Sequence, residues 1–141
     1  MAQKYKFLSH TADIKFQAFG NSLEEVFKNS ALALSASVYE GKIENKKPQT
    51  IEADGSDLEA LLLNFLEEFL VLFDSENFIL GEVENLEIER FKNLYRLKAN
   101  VLGDDIEKYE TSEHVKAITY NEMFVKQSEK GGWETQVVLD V

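Results

Sequence analysis

Residues 57–73 read DLEALLLNFLEEFLVLF, and whether this run crosses a membrane or lies inside a globular domain decides the fold. A membrane span needs about 20 predominantly apolar residues, and here Glu59, Asn64, Glu67 and Glu68 interrupt the apolar run over 58–73. The stretch therefore reads as a helix of a folded domain. Leu61, Leu62, Phe65, Leu66, Phe69, Leu72 and Phe73 recur at helical spacing, with Asp57 or Ser56 placed to cap the first turn. So many large apolar side chains predict the central buried helix.

A second helix is predicted upstream. Ser22 followed by Glu25 forms a capping box, in which the Ser side chain meets a free amide while the Glu reaches back. Behind it Leu23, Val26, Phe27, Ser30, Ala31, Leu34 and Val38 make one stripe, and Gly41 is the predicted stop. Small residues (Ser30, Ala31, Ala33, Ser35, Ala36, Ser37) crowd its second half and predict close packing against another element.

The rest reads as strands. Residues 4–8 and 14–19 look extended, the latter with Ile14, Phe16 and Ala18 on one face. Residues 42–53 read as a connection and strand, with Asn45, Lys46, Lys47 and Pro48 as an exposed hairpin tip. Residues 78–90 are strand-like with an irregularity at Glu84 and Asn85, and Tyr95, Leu97, Ala99 and Val101 give the cleanest alternation in the chain. Residues 103–111 read as a loop or short helical turn, 115–120 as a buried segment, and a further strand begins at Phe124. Glu129, Lys130, Gly131 and Gly132 form a hairpin turn before a last strand carrying Trp133, Thr135, Val137 and Leu139 on one face. Two main helices among six to eight strands give an α+β, two-layer fold with a mixed, mostly antiparallel β-sheet, in a single domain over 1–141.

Composition narrows the function classes. The 141 residues hold no Cys, so disulfides, thiolate zinc sites and thiol nucleophiles are excluded. Residues 1–6 lack the apolar core of a secretory signal, and a cytoplasmic location is the expectation. Twenty-six acidic residues against 15 basic give a net charge of −11, which repels a phosphate backbone and argues against tight direct nucleic-acid binding.

The stretch LSHTADIKF, residues 8–16, holds the first chemical candidates. Ser9, His10 and Asp13 are the residue types of a hydrolase triad, but adjacent positions in one turn rarely converge, and no nucleophile-elbow glycine pattern is present. No Gly-x-Gly-x-x-Gly or Walker-type loop occurs either. Asp13 has two readings. It accepts backbone amides in an Asx turn, or, if both chain ends lie in neighbouring strands, it meets Asp140 and the carboxylate of Val141 in a hard-oxygen site. His10 and His114 read as hydrogen-bonded structural residues or as acid–base groups. Lys116, flanked by Val115 and Ala117, is either a snorkelling strand residue or a cation with a carboxylate partner.

Taken together, these motifs resemble the archease family. His10, Thr11, Ala12 and Asp13 followed by residues 20–27 (GNSLEEVF) resemble its N-terminal signature. The likeness continues through DLEALL (57–62), FLEEF (65–69), VKAITY (115–120) with Met123, and the closing VLDV (138–141), in order and with similar spacing. Asn121 departs from the His or Ser expected there, and His114 maps to no role. The resemblance implies a non-catalytic protein cofactor that activates a GTP-dependent tRNA-splicing RNA ligase, promoting guanylylation of the ligase's active-site histidine and multiple turnover, and broadening its nucleotide use. It also implies a divalent-cation site at Asp13, Asp140 and Val141, first for Ca²⁺, with Mg²⁺ or Mn²⁺ as alternatives, and possible functional roles for Lys116 and His10. A general protein chaperone or modulator of nucleic-acid-processing proteins is the alternative function.

Overall fold

Two helices begin by the same device. The first is α1 (Leu23–Val38), where the Ser22 hydroxyl accepts from the Glu25 amide at 3.0 Å. The Glu25 carboxylate turns back to the Asn21 amide at 2.7 Å, one residue further out than a standard capping box. The second is α2 (Leu58–Ser75), where Asp57 accepts from the Ala60 amide at 2.7 Å. This computed structural model describes residues 3–9 and 13–141; His10, a candidate from the sequence, lies outside them.

The strands are β1 (Tyr5–Leu8), β2 (Ile14–Gly20), β3 (Lys47–Gly55), β4 (Phe78–Phe91), β5 (Leu94–Asp105), β6 (Ala117–Gln127) and β7 (Trp133–Asp140), with a short 3₁₀ turn at Ile106–Lys108. The α+β expectation holds, and the strands separate into two sheets, β1-β2-β7-β6 and β3-β5-β4, paired antiparallel throughout. Both helices pack against both sheets. Phe16, Phe27, Phe65, Phe69 and Phe78 are fully buried among them, with Phe27 stacked on Phe65 at 6.1 Å between ring centroids. The small residues of α1 allow the predicted close approach: Ser30 bonds Thr135 of β7 at 2.8 Å, and Ser35 donates to the Leu80 carbonyl of β4 at 2.6 Å. Among the described residues no helix is long and apolar enough to cross a membrane.

Four local expectations need correction. Asn45 to Pro48 form no hairpin tip: Lys47 and Pro48 pair with Gly103 and Leu102, and the proline is tolerated because β3 is an edge strand. Gly103, Asp104 and Asp105 belong to β5, so only the 3₁₀ turn remains of the predicted loop there. Residues 117–127 make one strand, interrupted where Tyr120 to Met123 leave the ladder between Thr119 and Phe124. Helix α1 ends because Tyr39 turns extended, at φ −150°, and Gly41 lies two residues beyond, against the Tyr39 ring. The irregularity near Glu84 is present, as a register shift between Val83 and Asn85.

Gly20 and Gly55 close their strands directly on the helix that follows. A Cβ on Gly55 would stand 2.4 Å from the Leu61 amide nitrogen, and one on Gly20 would stand 2.5 Å from that of Val26. Backbone on both sides leaves nothing to yield. Gly55→Ala is therefore expected to lower unfolding stability by about 2–3 kcal/mol, measured by urea denaturation; a loss no larger than that of an exposed Gly→Ala change would refute the close-packing argument.

Candidate functional site

Strands β2 and β7, far apart in sequence, pair side by side. Their register runs from Gly20 opposite Trp133 to Ile14 opposite Leu139. Continued one step, it sets Asp13 across from Asp140. Inward positions Phe16, Val137 and Leu139 are fully buried, so the register cannot slip without exposing them. Asp13 is half-buried, Asp140 exposed, and Val141 half-buried against the core. On the other side of β7, Ala117 pairs with Asp140, and the Lys116 amide donates to the Asp140 carbonyl at 2.7 Å. The Lys116 side chain is exposed, so no buried charge has to be matched there.

Asp13, Asp140, Val141 and Lys116 thus gather at one end of one sheet. Asp13 also borders a groove of about 430 Å³ that holds Phe7, Ala36, Glu40, Ser112 and Glu113. Phe7 is 41% exposed at its edge. His114 is exposed in an adjoining cavity with Phe73, Asp74 and Ile106, which shares Ser112 and Glu113 with that groove.

Among the described residues no three His, Asp or Glu side chains gather as a metal cage. The two side-chain carboxylates are nonetheless hard-oxygen donors, the chemistry that suits Ca²⁺, Mg²⁺ or Mn²⁺. Asp13 and Asp140 match such an ion by donor type.

Two networks that support this end were not anticipated from the sequence. In the first, Lys15 Nζ pairs with Glu122 Oε1 at 3.0 Å, and Gln136 Nε2 donates to the Glu122 carbonyl at 2.7 Å while its Oε1 accepts from Gln17 at 2.9 Å. The partners lie 107 residues apart in one case, so no local spacing signals them. In the second, the fully buried Asp104 accepts from Tyr109 Oη at 2.8 Å, the Asp105 amide at 2.8 Å and Lys108 Nζ at 3.2 Å. Tyr109 Oη accepts in turn from the Glu44 amide at 2.9 Å. This network, with the Ser112 amide on the Val38 carbonyl at 2.9 Å, fixes the segment that leads to Lys116.

The fold and this end of the sheet define a small two-helix, two-sheet protein with an oxygen-rich, acidic rim. Comparison with known proteins then places it. The family model described as "Archease protein family (MTH1598/TM1083)" matches residues 5–141, and the chain belongs to the archease family. It is 42% identical to the protein archease of Pyrococcus abyssi (strain GE5 / Orsay) over 142 aligned residues, covering 99% of each chain. It is 36% identical to that of Methanosarcina acetivorans, over 99% of this chain and 97% of that one. The solution structure of Methanobacterium thermoautotrophicum protein 1598 superposes with a TM-score of 0.84 at 29% identity, covering 97% of this chain and 98% of that one.

The Tyr109 hydroxyl holds the Asp104 carboxyl below its ordinary value of 3.8, with the Asp105 amide and Lys108 helping and burial opposing. A depressed folded-state pKa gives stability that is present above pH 3.8 and is lost as pH falls through the folded value. Asp104→Asn is accordingly expected to be less stable than the parent at pH 7 and to show a shallower acid limb in thermal melts below about pH 4. Parallel acid limbs in the two proteins would contradict the assignment.

Proposed function

We propose that this chain is a non-catalytic protein cofactor of a tRNA-splicing RNA ligase, promoting guanylylation of the ligase's active-site histidine by GTP and thereby multiple turnover. The observation that supports the reading is membership of the archease family together with the pairing of β2 with β7, whose register continued one step sets Asp13 across from Asp140. We further propose that Asp13, Asp140 and Val141 hold a divalent cation, Ca²⁺ first, with Mg²⁺ or Mn²⁺ as alternatives. A bound cation there would supply positive charge beside a phosphate. Asp13 and Asp140 would be the side-chain donors, and Lys116, exposed beside Asp140, would meet either phosphate or an acidic group of the partner. Charge placed before the reaction begins is how phosphoryl transfer is generally accelerated. The net charge of −11 supports a protein partner over direct contact with RNA.

Ligation of RNA ends bearing a 2′,3′-cyclic phosphate, run under single- and multiple-turnover conditions with and without this protein, tests the proposal. Multiple turnover is expected only with the protein present; equal turnover in both arms would leave the chaperone reading in its place. Asp13→Ala and Asp140→Ala are each expected to return turnover to the unstimulated rate with unchanged thermal unfolding, because neither side chain is buried in the core. Residues appended after Val141 are expected to weaken Ca²⁺ binding in calorimetry, and unaltered affinity would remove Val141 from the ligand set.

A further inference from the structure

The excursion in β6 has a use that the pairing alone does not explain. Between Thr119 and Phe124 the strand leaves its ladder, and Glu122 within it adopts φ 54°, a left-handed backbone uncommon outside glycine. Glu122 is held there from two strands at once. Its carbonyl takes the Gln136 amide from β7, and its carboxylate takes Lys15 Nζ from β2 at 3.0 Å. The Lys15 side chain is only 17% exposed in this position. Lys15 pairs with Val138, so it stands two residues from Asp13 along its own strand and on the diagonal to Asp140 across the ladder. On a pleated sheet both separations are about 7 Å, within reach of an extended lysine side chain. A lysine at this position is the natural internal counter-ion for both carboxylates, and its ammonium is paired with Glu122 instead.

We propose that Glu122 is a positioning residue that sequesters the Lys15 ammonium and so keeps Asp13 and Asp140 open to an external divalent cation. The inference rests on the cation reading given above. Without the Glu122 carboxylate, Lys15 swings back along its strand and competes with the ion for the same oxygens. Glu122 acts on the carboxylates through Lys15, so removing Lys15 as well is expected to reverse its effect on the ion.

Calorimetric titration of the full-length chain with CaCl₂ at fixed ionic strength tests this. Glu122→Gln is expected to weaken Ca²⁺ binding about tenfold, the scale of losses when a group supporting metal ligands is changed. Adding Lys15→Met to Glu122→Gln is expected to restore the parental affinity, an outcome that loosened packing would not produce. Parental affinity in Glu122→Gln, or a double variant as weak as the single one, would overturn the proposal while leaving the cation reading intact. Absence of Ca²⁺ binding by the parent protein would overturn both. Should Glu122→Gln unfold, Lys15→Met alone decides: unchanged Ca²⁺ affinity supports sequestration, and a several-fold gain would show that Lys15 already weighs on the carboxylates.

Discussion

The antiparallel pairing of β2 with β7 is the constraint on which the rest depends. It joins residues 14–20 to residues 133–139, so it closes nearly the whole chain into one loop, and that closure has an entropic cost before any local contact repays it. What repays it is burial on the inward face, where Phe16, Ala18, Val137 and Leu139 pack against the helices. The same register that buries those side chains brings Asp13 to Asp140. Core and site are thus set by one alignment, and a slip of one residue would turn the apolar positions outward and separate the carboxylates together.

Around that alignment the molecule arranges its charges unequally. Most of the 26 acidic residues are solvated and serve a surface with net charge −11. A few carry structure. Asp57 caps α2, Glu25 completes the cap of α1, and buried Asp104 ties the Tyr109 hydroxyl and Lys108 into the segment approaching Lys116. Asp13 and Asp140 stand apart from these, at the end of the sheet where β2 begins and β7 ends. An oxygen-rich rim of this kind beside an exposed Phe7 is suited to a protein surface that carries its own positive charge.

Both helices were legible in the sequence because their signals are local: caps three residues from their partners and apolar stripes within four turns. The alternation in β5 was equally clear, since Leu97, Ala99 and Val101 are buried as their period of two requires. The division into two sheets was not legible, because every strand has the same local pattern whichever neighbour it takes. The continuity of 117–127 as one strand with an excursion at 120–123 is hidden for a related reason: the excursion is held by Lys15 and Gln136, which lie far off in sequence. Asp104 carried no warning either, since an aspartate after a glycine looks like a loop until Tyr109 and Lys108 are seen to satisfy it. Of the candidate site, the residue types and the idea of convergence could be read from the chain; the register that makes convergence possible could not.

The central claim, that Asp13 and Asp140 share one cation because β2 and β7 pair in this register, is tested most directly by paramagnetic relaxation. Mn²⁺ added below stoichiometry to the ¹⁵N-labelled protein is predicted to broaden first the backbone amides of residues 13–15, 116–117 and 139–141. Broadening spread across the acidic surface, with those amides no more affected than the capping residues Glu25 and Asp57, would contradict the account.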